Sequence, residues 1–391
     1  MACWDPYNVY PLSIETFILF NLQILFFIIG ASIKPKKRLL QINPSSFKLP
    51  HININTFCVI VVTVLLIHTY NNYEKMHAYV LSLGSLTNQS REFYYTEFFR
   101  SYTDLMLNQI IIAAKYVAIF VSFSILFSKN RKYGIKDLYV IIATFASVAL
   151  EALTTMGRNE ALTVAFMLLF FAVFCKLYQT DVYKKRIIPI AIVSIVGFAV
   201  IFMALTLIRS NLIWGEFADD STEDLILKPF STYFYVPILA FDFGKETILH
   251  FDYPFMGGAT LAGFIDTLLT PVLLISKNMP TINSILGGRM TPSMVFPGGE
   301  GWNALYTGCA NYYIDFKHLG FIIFPFIHGK IFAWLSYKCN KDVIAMMLLC
   351  VLYFFSFKHL VSLTIQSSDI VFIILWVYLF SRFSVVKFEK A

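Results

Sequence analysis

Apolar residues run along the chain in windows of about 18 or more, broken by short polar stretches, the pattern of membrane-crossing helices rather than of half-buried soluble ones. The windows predict spans at about Ser13–Ile33, Ile52–Tyr70, Leu105–Phe127, Leu138–Met156, Ala161–Tyr178 and Ile187–Ile208. After a long interruption they resume at about Leu319–Tyr337, Val343–Leu363 and Ile370–Phe383. The interruption, Arg209 to His318, is the one long segment that does not read as back-to-back spans. It opens with the acidic run Asp219-Asp220-Ser221-Thr222-Glu223-Asp224 and closes on Gly287-Gly288, Gly298-Gly299-Glu300-Gly301 and an aromatic stretch. Two apolar pieces inside it, 229–243 and 257–276, predict short or re-entrant helices.

Charge orients this pattern. Basic residues gather in alternate loops: Lys34 to Arg38, Lys129 to Lys136, Lys184 to Arg186, Lys338 to Lys341, and Arg382 to Lys390. Positive charge marks cytoplasmic loops, so the N-terminus is expected outside, the C-terminus in the cytoplasm, and the long interruption outside. The stretch Asn71–Asp104 has mixed charge and is expected as an external loop with an interfacial helix. The fold expected is an all-α polytopic membrane protein of about nine to eleven transmembrane helices. It forms one integral domain, 1–391, with one large extracytoplasmic loop, 209–318.

Composition narrows the chemistry. Of 391 residues 58% are hydrophobic and 14% charged, with 40 Phe, so no soluble catalytic domain is expected. The net charge of +7 is spread over loops rather than gathered into a stripe, which argues against a nucleic-acid partner. The six cysteines show neither metal spacing nor a CxxC, so no metal site and no disulfide framework is expected. A Cys3–Cys309 bridge stays open as the exception. The N-terminus lacks the basic region of a signal peptide, so the first span is expected to be retained. A Walker A sequence, HExxH and GxSxG are all missing, and no cofactor is implied.

Several polar residues stand where the membrane makes them expensive. Arg158 and Arg209 lie at the outer ends of spans. A guanidinium is permanently charged and pairs bidentately with phosphate oxygens, so the two either hold a lipid diphosphate or snorkel to outer headgroups. Lys115 and Glu151 lie within spans, where charge is paired or functional. They form either a buried ion pair, or Glu151, seven residues before Arg158 on one helix face, orients that arginine. Arg289 is either a third phosphate contact or a solvated loop charge. Trp302, Tyr306, Tyr312, Tyr313, Tyr233 and Tyr235 are stacking surfaces for sugar rings or an interfacial belt. Asp315, at the mouth of the span beginning near Leu319, caps that helix, contacts Lys317, or acts as a general base on an acceptor hydroxyl. The histidines His250, His318, His328 and His359 are scattered, and none is singled out.

A short outer turn with arginine, a second arginine opening a large outer loop, and a segment after that loop together resemble a known family. The segment reads Asn303-Ala304-Leu305-Tyr306-Thr307, then Tyr312-Tyr313-Ile314-Asp315-Phe316, then Gly320. The chain resembles the bacterial oligosaccharide repeat-unit polymerases, the Wzy-like O-antigen polymerases. Residue-level agreement covers Gly157–Asn159, Arg209 and Asn303–Gly320, and the chain departs by placing Lys317 where a glycine is usual in that family.

The resemblance implies a metal-independent glycosyltransferase of the bacterial inner membrane, with its active site facing the periplasm. Its donor and acceptor would both be undecaprenyl-diphosphate-linked glycans, making O-antigen or a related surface polysaccharide. Membrane lipids, and in some systems a chain-length regulator, would be its partners. Arg158 and Arg209 would then stabilise the departing diphosphate, with Asp315 or Glu151 activating the acceptor. Arg289, Trp302, Asn303, Tyr306, Tyr313 and Tyr235 would bind substrate. Two other functions stay open: an O-antigen ligase, which delivers to lipid A-core, and a non-enzymatic flippase or exporter of lipid-linked oligosaccharides. The last would favour inverted repeats, which the sequence lacks.

Overall fold

The computed structural model describes residues 12–33, 51–82, 101–128, 133–155, 159–178, 237–245, 254–270, 280–290, 293–295, 301–303, 308–339, 342–359, 369–383 and 385–387, with the isolated positions 93, 98–99, 249–251 and 272. Within them the secondary structure is helical apart from four three-residue strands. Five stretches are long and apolar enough to cross a membrane: Ile14–Ser32, Thr56–Ser82, Thr103–Phe127, Ile135–Thr155 and Cys309–Lys338. The chain is an α-helical membrane protein.

Polar residues at the borders of the apolar runs start the helices. The Ser13 hydroxyl accepts the Thr16 amide ahead of α1 (Ile14–Ser32). Asn55 accepts the Cys58 amide at 3.1 Å ahead of α2 (Thr56–Ser82). Ser101 accepts the Asp104 amide at 3.1 Å ahead of α3 (Tyr102–Phe127). In each, a side-chain oxygen satisfies an amide that has no partner in the first helical turn. The helices α4 (Ile135–Thr155) and α5 (Asn159–Tyr178) follow, both within a residue or a few of the expected spans.

The second span needs correcting. Hydrophobicity stops near Tyr70, yet α2 continues to Ser82 and occupies the first part of the expected loop. No Gly or Pro interrupts Thr56–Ser82, and the first glycine beyond it is Gly84. A helix ends where its backbone is broken, not where lipid ends. At 1.5 Å per residue, 27 residues reach about 40 Å, past the roughly 30 Å hydrocarbon core.

The apolar pieces of the long interruption contain short helices where they are described: α6 (237–244) and α7 (Ala262–Leu268). Then come α8 (Ile282–Met290) and a small hairpin of β2 (Ser293–Val295) with β3 (Gly301–Asn303). The helix α9 (Cys309–Phe316) passes through one 3-10 turn, Lys317–Leu319, into α10 (Gly320–Lys338). The chain closes with α11 (Val343–Lys358) and α12 (Asp369–Phe383). A strand before α2, β1 (His51–Asn53), pairs antiparallel with one after α12, β4 (Val385–Lys387). The expected span Ile187–Ile208 lies outside the described residues.

The chain divides into two compact units. One holds α2 to α5, the start of α11 and nearly all of α12. Its core is aromatic: Phe120 meets Phe171 at 5.3 Å between ring centroids, and Phe123 stacks on Phe127 at 5.8 Å. The Trp376 indole of α12 donates to the Ile110 carbonyl of α3 at 2.6 Å.

The other unit holds α1 and α6 to α10. Here α1 and α10 approach backbone to backbone. A Cβ on Gly30 would collide with the Phe326 carbonyl, and one on Gly329 would collide with the Phe27 carbonyl and the Ala31 amide. Lipid tails are as apolar as the side chains, so close backbone packing replaces the hydrophobic effect in holding such helices together. Gly30→Ala and Gly329→Ala are each expected to cost about 1–3 kcal/mol through overpacking. The double variant should cost less than the sum, since both sites share one contact. Thermal unfolding in detergent measures both quantities.

Candidate functional site

The segment Gly308–Gly320 is the part of the expected site that is described most fully, and its local packing is unusually constrained. Where α9 begins, the Gly308 amide donates to the His359 carbonyl at 3.0 Å, and the His359 ring fills the space a Cβ on Gly308 would need. Cys309 is a buried thiol that donates to Gln23 Oε1 at 2.7 Å and lies 3.8 Å from His359 Nε2. At the far end, Gly320 sits against the Tyr312 carbonyl so closely that no side chain fits. The turn between α9 and α10 therefore folds the two helices tightly onto each other.

Asp315 has no exposed surface. Its two carboxylate oxygens accept the backbone amides of Ala259 at 2.9 Å and Thr260 at 2.8 Å. Asn311, one turn earlier on the same face, donates to the Ala259 carbonyl at 2.9 Å. The Phe255 and Met256 amides donate to the Ile314 and Asp315 carbonyls, both at 3.4 Å. Five hydrogen bonds to one short helix thus fix the turn 255–260, in which Met256 and Gly257 take left-handed φ angles of 51° and 98°.

Asp315 is a cap, but of the turn leading to α7 rather than of its own following helix. Both oxygens are taken, so Asp315 positions this turn and does not present a free base to an acceptor. Asp315→Ala would leave two buried amides without acceptors, at about 1–3 kcal/mol each. A drop in the detergent melting midpoint, smaller for Asp315→Asn, checks this.

A second buried carboxylate repeats the device: Asp266 of α7 accepts the amides of Ile282 at 2.8 Å and Asn283 at 2.9 Å, which caps α8. A third, Asp242, just beyond the middle of α6, ties that helix to the start of α1. It accepts the Ser13 amide at 2.7 Å and the hydroxyls of Ser13 and Thr16, both at 2.5 Å. Lys245 bridges Asp242 at 3.1 Å and Glu15 at 2.6 Å, and Glu15 also meets His318 at 2.6 Å. Burial alone would raise the Asp242 carboxyl, but the hydrogen bonds from Ser13 and Thr16 outweigh it and hold the group below its ordinary value.

The tyrosines of α9 are core, not open platforms. Tyr312 stacks on Phe324 with centroids 4.9 Å apart and lies 5.0 Å from the His359 ring. Tyr313 is 3% exposed, its ring edge-on to Phe241 at 5.8 Å and to His318 at 5.9 Å. A sugar ring could not stack on Tyr313 without displacing these neighbours.

In the other unit, Lys115 and Glu151 form a buried ion pair, the first of the two expected arrangements, with a third member. Lys115 Nζ is 2.6 Å from Glu151 Oε1 and 2.6 Å from Glu160 Oε2, all three side chains buried. Glu160 stands at the border of the expected span Ala161–Tyr178. It occupies the first turn of α5 and is buried against Lys115, nine residues after Glu151 in the chain. Seven residues, about two turns, before Lys115 on the same face of α3, Asn108 accepts from Asn72 at 3.0 Å and lies 2.8 Å from His68 Nε2, extending a polar seam along α2 and α3.

Of the remaining expected site residues, Arg158, Arg209, Tyr233, Tyr235 and Tyr306 lie outside the described residues. Arg289 stands in α8, and Trp302 and Asn303 stand in β3 opposite Met294 and Ser293, for which the backbone alone is described. Among the described residues, no group of three or more His, Cys, Asp or Glu side chains is arranged to hold a metal ion. No family model, no curated protein and no solved structure matches the chain.

Proposed function

We propose that this chain is a membrane glycosyltransferase that polymerises undecaprenyl-diphosphate-linked repeat units at the periplasmic face of a bacterial inner membrane. The observation that carries the reading is the backbone at Lys317. Its φ is +52°, the left-handed conformation that glycine adopts without penalty. This is the position, directly after Asp315-Phe316, at which the chain departs from the glycine usual in the polymerase family. The residue differs, but the conformation that calls for glycine is present. The pairing of β1, which precedes α2, with β4, which follows α12, fits the basic loops in one respect: both segments are assigned to the same side.

In this reading an acceptor hydroxyl attacks the anomeric carbon of the donor glycan. A new C–O bond forms, the bond from that carbon to the lipid diphosphate breaks, the hydroxyl proton is released, and the polyprenyl diphosphate leaves. Arg158 and Arg209 meet the charge that grows on the leaving diphosphate. Asp315 and Asn311 set the turn 255–260 against α9, while Arg289, Trp302, Asn303, Tyr306 and Tyr235 contact glycan or diphosphate. Glu151 acts from the buried Lys115 centre, seven residues before Arg158 in the chain.

The test is direct: purified protein in lipid nanodiscs is given an undecaprenyl-diphosphate-linked repeat unit. A ladder of longer glycans is the expected product. Transfer only when lipid A-core is supplied would replace the polymerase by a ligase. Passage of the intact substrate across liposome membranes, with no new bond, would replace both by a flippase.

A further inference from the structure

We propose that Lys317 is an anion-binding residue whose ammonium takes a phosphate oxyanion of a lipid headgroup. It deepens the polymerase reading, on which the choice of a polyprenyl diphosphate as that headgroup rests.

Three independent features of Lys317 point the same way. Its Nζ is closed off from solvent and has no hydrogen-bond partner among the described residues. Carboxylates close to it in the chain, or paired with its neighbour His318, are committed elsewhere: both oxygens of Asp315 hold the Ala259 and Thr260 amides, and Glu15 holds Lys245 and His318. The ammonium instead lies over the Tyr313 ring, 4.9 Å from its centroid. A ring face offers electrostatic attraction but no acceptor lone pair, so three N–H donors of a strongly hydrated cation go unmatched. A buried ammonium of this kind is stable only when an anion completes it.

The backbone makes the second point. Holding any side chain at φ 52° is unfavourable, and glycine would remove the penalty. The strain at Lys317 is offset only if its side chain makes a favourable interaction. Location makes the third point. Lys317 opens the 3-10 turn that leads into α10, part of the apolar stretch Cys309–Lys338, so it stands near one end of a membrane helix. The anions met at that depth are phosphates of lipids. A point charge on a flexible stem suits a phosphate oxygen that shifts as the headgroup moves.

The experiment compares wild type with Lys317→Gly, Lys317→Met and Lys317→Arg in phosphatidylcholine nanodiscs. Each is titrated with undecaprenyl diphosphate and, separately, with phosphatidylglycerol, with binding followed by native mass spectrometry. Lys317→Gly is expected to raise the melting midpoint, because strain is relieved, while weakening undecaprenyl diphosphate binding about tenfold, the loss expected for one charge-assisted hydrogen bond. Lys317→Met, which keeps the stem and the strain, should weaken binding equally, and Lys317→Arg should largely restore it. The same losses for phosphatidylglycerol would support the anion site and assign it to bulk phospholipid.

Unchanged binding of both lipids by folded Lys317→Gly and Lys317→Met would overturn the proposal. The polymerase reading would survive that result so long as wild type still makes the glycan ladder. Conversely, a wild type that makes no ladder but loses phosphate-lipid binding on Lys317→Met would sink the polymerase and keep the anion site.

Discussion

Lys115→Met is expected to lower stability by about 3–5 kcal/mol, because it leaves two buried carboxylates without the cation between them. Lys115 is 3% exposed, Glu151 8% and Glu160 5%, so water cannot take over the role of the lost ammonium. The three side chains come from α3, α4 and α5, and a single Nζ lies 2.6 Å from an oxygen of each glutamate. Removing one carboxylate instead should be milder, since Lys115 keeps the other; Glu151→Gln and Glu160→Gln are each expected to lose less than Lys115→Met. Arginine at 115 keeps the charge but brings a larger planar head into a filled site, and an intermediate loss is expected. Thermal unfolding in detergent ranks the four variants. A Lys115→Met protein that melts with the wild type would show that this centre contributes nothing to holding the three helices.

That centre also shows where sequence reading succeeds and where it stops. Lys115 and Glu151 were legible because an ionisable side chain inside an apolar run stands out against the cost of burying it. Glu160 was not, because a residue at the edge of a run is equally at home in a solvated turn; only the start of α5 at Asn159 decides that it points inward. The caps Ser13, Asn55 and Ser101, which fix where the helices begin, came only from the fold, whereas span positions were legible from the apolar pattern alone. The far end of α2 was not, since helical backbone does not register the edge of the hydrocarbon.

Partners distant in the chain were the hardest to foresee. Asp315 binds amides 55 and 56 residues earlier, and Asp242 binds groups 226 and 229 residues earlier. Neither spacing leaves a periodic trace. What sequence did signal at Asp315 was a capping role; the identity of the capped element came only from the fold. The aromatic character of Tyr312 and Tyr313 was equally visible, but an aromatic residue reads the same whether its ring faces a sugar, a lipid or Phe324.

Arg158→Ala and Arg209→Ala should each slow chain extension by about 100- to 1000-fold, the range found when one donor to developing negative charge is removed. The effect is expected in turnover more than in substrate binding, because charge on the diphosphate grows as the glycosidic bond breaks and an interaction that strengthens along that path acts on the rate. Lysine at either position keeps a cation but loses the planar two-pronged contact with phosphate oxygens, so activities should fall in the order Arg, Lys, Ala.

The Lys115 centre bears on the first of these arginines. Arg158 lies seven residues after Glu151 and two before Glu160, and both glutamates are held by one ammonium, so the two ends of the connection carrying Arg158 are anchored to a common point. Glu160→Gln, assayed at a temperature where it remains folded, is therefore expected to reduce turnover, whereas it should leave the dependence on Arg209 intact. A glycan ladder that persists in both Arg158→Ala and Arg209→Ala would remove the arginines from the mechanism while leaving the polymerase in place. Loss in one alone would assign the leaving diphosphate to that arginine and return the other to the lipid headgroups.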